Sequence, residues 1–365
     1  IASFTNSPDA TRTKMIYDTI NERIAIFIVD PDNSNRPTVI AATPDTANLS
    51  ISSTGSLTEI GSNIDAGVAS DQPAIGFNED EATVVVGFTE TSDQVTTRFD
   101  AGVLAGVQID PSDNSVTVGT PVGDPTGESN VTFYHRLGYS PTNSVNTAVV
   151  TTGARGTVDV FAINVSGTSI SFGNVETIFS AANGDVGYAS GLWADNLELG
   201  FVVYTDSRDV DNVLRGSVFS LDGDVLTIED DRALKTFNGS APGEGDTNWP
   251  AYDAANQRWI VGTPDNDAAN VSGADAAILT GSIDAATPKL TLLEGSNSSG
   301  TTSLSTVDGD VDSNATTPTI FETNSGLALQ LYRDSSVDSN ACDTSGGNVA
   351  PDQPLTVHEH EPRLC

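Results

Sequence analysis

Apolar residues along this chain fall in short runs separated by clusters of Asp, Asn, Gly, Ser and Pro. The runs are rich in Val, Ile, Thr and Phe, which suit a pleated, partly buried strand, and the separators are turn formers. No stretch carries a convincing amphipathic-helix period, so the pattern predicts an all-β protein. One order of residues repeats: an aromatic side chain, a polar turn, an apolar strand, then acidic or polar residues. It reads "YDTINERIAIFIVDPDN" over 17–33 and "FNEDEATVVVGFTETSD" over 77–93. It returns as "YSPTNSVNTAVVTTGARG" (139–156), "WADNLELGFVVYTDSRDVDN" (193–212), "YDAANQRWIVGTPDND" (252–267) and "FETNSGLALQLYRDSS" (321–336).

The aromatic markers Tyr17, Phe77, Tyr139, Trp193, Tyr252 and Phe321 are spaced by 60, 62, 54, 59 and 69 residues. A steady period of that size signals an array or a propeller rather than independent domains. Each unit reads as four strands. In the second they are "PAIGF" (73–77), "TVVVGF" (83–88), "AGVLAGVQI" (101–109) and "SVTVG" (115–119). Four-stranded antiparallel units repeated around an axis make a β-propeller, whose radial closure protects sheet edges. The expected fold is therefore a single six-bladed β-propeller over 1–365. Its blades are expected near 14–67, 68–132, 133–187, 188–247, 248–310 and 311–365 plus 1–13. The last unit lacks a full set of strands, so the N-terminal "IASFT" (1–5) is expected to pair with it and close the ring.

The stretches "QPAIGFNEDEATVVVGF" and "GFVVYTDSRDVDNVLRGSVFSLDG" carry a further pattern. It runs Pro-x-aliphatic-x-aromatic, a turn with Asn or Asp, an apolar strand ending in Asp, then a strand leading to Asp-Gly. This resembles a repeat common in secreted bacterial and virion-associated β-propellers, and the resemblance covers most of the chain. It implies the fold and no active site, because propellers host many functions.

Charge narrows the list of partners. The chain has 50 Asp and Glu against 15 Lys and Arg, a net charge of −35, with lysine only at Lys14, Lys235 and Lys289. Such a surface repels nucleic acid and anionic membranes. Its self-repulsion is relieved in brine, where the Debye length falls to about 3 Å at molar salt, so the composition suits a salt-adapted protein as well as an acidic secreted one. No apolar run is long enough for a transmembrane helix. The sequence starts at Ile1 without a charged and apolar leader, which reads as a mature product. The two cysteines, Cys342 and Cys365, are expected to form one disulfide in the tail, in an oxidising compartment.

Acidic residues follow the second strand of most units. Two clusters are candidate calcium ligands: Asp206, Asp209 and Asp211 in "DSRDVDN", and Asp308, Asp310 and Asp312 in "DGDVDSN". Hard cations want several carboxylate and carbonyl oxygens. The competing reading is a solvated strand end blunted by charge. His358 and His360 share one strand face but lack a third ligand, and His135 reads as structural. Arg208, Arg215 and Arg232 are scattered in sequence. There is no nucleotide loop, nucleophile elbow or Ser-x-Asp-x-Gly-x-x-Trp box. The expected function is therefore non-catalytic recognition of a glycan or protein by an extracellular, cell-surface or virion-appendage propeller. The alternatives are a carbohydrate-active enzyme with funnel carboxylates and a structural subunit of a larger assembly.

Overall fold

The computed structural model describes residues 13–30, 35–48, 50–62, 64–66, 73–91, 94–96, 100–133, 135–152, 156–181, 186, 189–208, 213–236, 250–255, 257–265, 275–284, 286–292, 301–303, 319–322, 327–330 and 358–360. Among these residues there is no helix, and the strands form six sheets that follow one another along the sequence. Sheet one runs from Thr13–Asp18 to Thr58–Glu59, sheet two from Ala74–Asn78 to Val122–Gly123, and sheet three from Thr132–Phe133 to Ser169–Ser180. Sheet four runs from Ser190–Ala194 to Val225–Thr236, sheet five from Pro250–Asp253 to Thr301–Ser303, and sheet six from Thr319–Glu322 to His358–His360. The strands expected in the second unit appear as Ala74–Asn78, Thr83–Glu90, Ala101–Ile109 and Val116–Val118. One strand departs from the antiparallel plan: His135–Arg136 runs parallel beside Ala74 and Ile75, adding an edge to sheet two. The closing strand expected at 1–5 and the Cys342–Cys365 bridge lie outside the described residues.

The chain divides into two compact units, Ile1–Gly184 with Phe219–Ile228, and Asp185–Val218 with Glu229–Cys365. In the first unit, sheet two is covered on both faces. Val84, Val86 and Phe88 face Phe27, Val39 and Ala41 of sheet one. Val85 and Leu104 face Phe133, Val150 and Phe161 of sheet three. Side chains alternate across a strand, so a strand buried on both faces must be apolar at every position. That is why "TVVVGF" shows no polar alternation. The rings of Phe27 and Phe88 stack at 5.9 Å, and those of Phe133 and Phe161 meet edge to face at 6.5 Å. In the second unit, Phe201, Val203, Leu214 and Val218 of sheet four pack on Trp259 and Val261 of sheet five, with Phe201 and Trp259 at 5.4 Å.

The turns after four of the aromatic markers are built the same way, with a side-chain acceptor next to the marker. Asp18 accepts the backbone N–H groups of Ile20 and Asn21, Asn78 that of Glu81, Ser140 that of Asn143, and Asp253 that of Ala255. Five residues after the marker stands a residue with positive φ: Glu22, Ala82, Ser144, Glu198 and Gln257, at 55°, 48°, 56°, 52° and 53°. A side chain costs about 1–2 kcal/mol in this left-handed region, and glycine avoids most of that. Ala82→Gly should therefore raise stability by about 0.5–1 kcal/mol once the extra freedom of the unfolded chain is subtracted. Thermal melting checks this, and a lower melting temperature would contradict it.

The tip between third and fourth strands docks on the sheet before it. In sheet two, Asn114 accepts from Arg23 Nε at 2.7 Å and Thr43 Oγ1 at 3.1 Å, and donates to Ser53 Oγ at 2.9 Å. In sheet three, the Gly167 N–H donates to Glu81 at 2.7 Å while its carbonyl accepts from Thr83 at 2.9 Å. The tip 219–228 uses Asp224 to accept from Asn164 at 2.8 Å, and Leu226 exchanges two hydrogen bonds with Asn174. Close seating demands glycine. The Thr168 carbonyl lies over Gly106 and Gly119, and a Cβ on either would come closer than 3.0 Å to it.

Candidate functional site

The second strands of the first five sheets, Arg23–Asp30, Thr83–Glu90, Val145–Thr152, Leu199–Asp206 and Arg258–Asp265, each hold eight residues. Four of them end in a carboxylate. The expectation of a solvated acidic rim fails at Asp30, Glu90 and Asp206, which are all buried. Burial is tolerated because donors surround the charge. Glu90 accepts backbone N–H groups from Gln94 at 2.5 Å, Val95 at 2.9 Å and Thr96 at 3.3 Å. In sheet three the strand ends in Thr152, and the carboxylate comes from the next strand. There Asp159 accepts from Thr152 at 3.0 Å, Thr157 at 3.1 Å and Thr177 at 2.6 Å. Both acids serve the fold.

In sheet four, arginines supply the donors. Asp206 sits in the fork of Arg208, with Nε at 2.9 Å and Nη2 at 2.7 Å. Arg215 reaches the same carboxylate at 4.0 Å. On the adjoining strands, Arg215 donates through Nη2 to Asp231 at 2.5 Å and through Nε to the Tyr204 hydroxyl at 3.1 Å. The Tyr204 hydroxyl and the Ser217 hydroxyl both donate to Asp231 Oδ1, at 2.9 and 3.0 Å. Strand alternation makes this array. Phe201, Val203, Leu214 and Val218 point to sheet five, so Tyr204, Asp206, Arg215 and Ser217 occupy the other face. The side chain of Arg208 is 45% exposed and those of Arg215 and Asp231 are 23% exposed, which leaves the network open to solvent on one side.

Electrostatics fix the protonation states. Burial pushes Asp206 upward, but the hydrogen bonds and charge of Arg208, with Arg215 behind, outweigh it and hold the carboxyl below its usual range. This pair therefore stabilises the fold above the ordinary carboxylate range and loses that contribution as pH falls through the lowered value. Burial, reinforced by Asp231, pushes the Tyr204 phenol up, so it stays protonated at neutral pH. The arrangement offers a fixed set of donors and acceptors with the guanidinium planes locked in place.

Of the expected calcium ligands, the structure describes Asp206 alone, and its carboxylate engages two arginines. Asp209, Asp211, Asp308, Asp310 and Asp312 lie outside the described residues. Among the described residues, no three His, Cys, Asp or Glu side chains converge in a metal-binding group. Arg208 and Arg215, scattered in sequence, meet at Asp206, whereas Arg232 pairs with Asp230 at 2.7 Å. Sequence reading missed Tyr204, Ser217 and Asp231. The available signal was an arginine inside the apolar run "VLRGSVF", since a charge within a packed strand needs a buried partner.

No family model matches the sequence, and no curated protein matches it. Solved structures do match. The intramolecular trans-sialidase from Ruminococcus gnavus, in complex with oseltamivir carboxylate, aligns at TM-score 0.52 and 8% identity over 90% of both chains. The Nup133 β-propeller domain from Vanderwaltozyma polyspora aligns at TM-score 0.48 and 9% identity over 88% of this chain and 81% of that one. Hadza microbial sialidase Hz136 aligns at TM-score 0.48 and 10% identity over 88% of this chain, which spans 63% of that chain. At such identities the likeness concerns the fold alone. Together with the successive sheets, it makes the protein an all-β chain of the β-propeller class.

Proposed function

We propose that this propeller recognises a glycan outside the cytoplasm, and that Arg208, Arg215 and Asp231, held in place by the buried Tyr204, Ser217 and Asp206, are its contact face. The observation that carries this reading is the network itself. The guanidinium groups of Arg208 and Arg215 and the carboxylate of Asp231 are partly exposed, and the buried Tyr204, Ser217 and Asp206 hold them in fixed orientations, as recognition of a polyhydroxylated ligand requires. Several of the structures that share the fold are sialidases by name, which agrees with a carbohydrate ligand. The net charge of −35 disfavours nucleic acid and anionic membranes as the alternative partner. Binding without turnover is favoured over hydrolysis because the hydroxyl of Tyr204 and the carboxylate of Asp206 are buried and engaged by internal partners.

A glycan array probed with the whole chain at high salt tests the reading, with Arg208→Ala beside it. The wild-type chain should bind a defined subset of glycans. Arg208→Ala should weaken that binding by about tenfold or more; it also leaves the buried Asp206 carboxylate without its two-pronged partner, so melting temperature should fall and binding is compared at a temperature where both proteins are folded. Absence of any bound glycan, or equal binding by the variant, would overturn it.

A further inference from the structure

We infer that the sheet-four network selects uncharged sugars over sugars that carry a carboxylate, a refinement that rests on the glycan-binding reading above. The charges of Asp206, Arg208, Arg215 and Asp231 cancel. Each arginine is also committed in geometry, Arg208 to both oxygens of Asp206 and Arg215 to Asp231 and the Tyr204 hydroxyl. A carboxylated sugar would have to displace an internal carboxylate from a charge-assisted contact, or lie beside it as a like charge. It would also approach a chain whose net charge is −35. A neutral diol meets none of these obstacles. Its hydroxyls donate to carboxylate oxygens and accept from guanidinium N–H groups without changing the charge balance. Charge here excludes a class of ligand more than it attracts one.

The test uses an array on which neutral oligosaccharides stand beside their sialylated and uronic-acid-containing counterparts, read at about 0.1 M and about 1 M NaCl. The wild-type chain should bind the neutral member at least about tenfold more tightly at the lower salt. The gap should narrow to about threefold or less at the higher salt, where repulsion is screened. Asp231→Asn, which leaves the charge of Arg215 uncompensated, should narrow the gap at low salt; the salt series on the wild-type chain decides the matter if that variant does not fold. Equal or stronger binding of the carboxylated members at low salt overturns this inference and leaves glycan recognition standing. Failure to bind any member of either set overturns glycan recognition itself, and the inference with it.

Discussion

Gly119→Ala should be among the most damaging single substitutions in the first unit, costing about 3 kcal/mol. The Thr168 carbonyl sits over Gly106 and Gly119, which are themselves joined by an N–H to carbonyl hydrogen bond of 2.9 Å. A methyl group at 119 meets backbone, which cannot rotate away, so the whole tip has to lift. Lifting it breaks the Gly167 contacts to Glu81 and Thr83 as well. A fall of roughly 6–12 °C in melting temperature is expected for a unit of this size. Gly127→Ala supplies the comparison. Gly127 has φ of 76° and no atom within 4 Å of an added Cβ, so it reports backbone strain alone, about 1 kcal/mol. Equal losses at the two positions would show that seating of the tip is not the cause.

Asp231→Ala should cost about 2–4 kcal/mol in the second unit. The carboxylate is the acceptor for three donors, Arg215, Tyr204 and Ser217. Tyr204 and Ser217 are fully buried, so their hydroxyls lose an acceptor that water cannot replace. Arg215 is 23% exposed and recovers part of its loss by hydration, which sets the estimate below that of a fully buried pair. Asp231→Asn keeps an acceptor oxygen and should recover about half of the loss. Chemical denaturation of the two variants measures both numbers. An Asn variant no better than the Ala variant would mean that charge, and not hydrogen bonding, holds the network.

The strands were legible in the sequence because burial on two faces leaves a plain record. Val84, Val86 and Phe88 meet apolar neighbours on one side of the strand and Val85 meets them on the other, so polar residues are missing from the run. The hairpins were legible through their aromatic markers and, at four of them, the Asp, Asn or Ser that follows. The fate of the acids was not. A carboxylate after a strand looks the same in sequence whether it is solvated or, like Glu90, wrapped by the N–H groups of a loop four to six residues on. The candidate site was hidden for a related reason. Tyr204, Arg215 and Asp231 sit on three different strands, and only register brings them to one face. Sequence spacing suits helices and turns, where contacts are local; sheets collect residues from far along the chain. The left-handed residues Glu22, Ala82, Ser144, Glu198 and Gln257 span four side-chain types and include no Gly or Asn, so their common conformation comes from the turn around them.

The seating of each tip on the preceding sheet has a consequence for how such a chain can be rearranged. In the first unit a sheet carries its own tip but lends its glycines to the tip of the next one. Exchange or duplication of a whole sheet would part Thr168 from Gly106 and Gly119 and leave both halves mismatched. The portable module is therefore offset from the sheet: it begins within one and ends within the next, so that a glycine seat and the loop that fits it are inherited together.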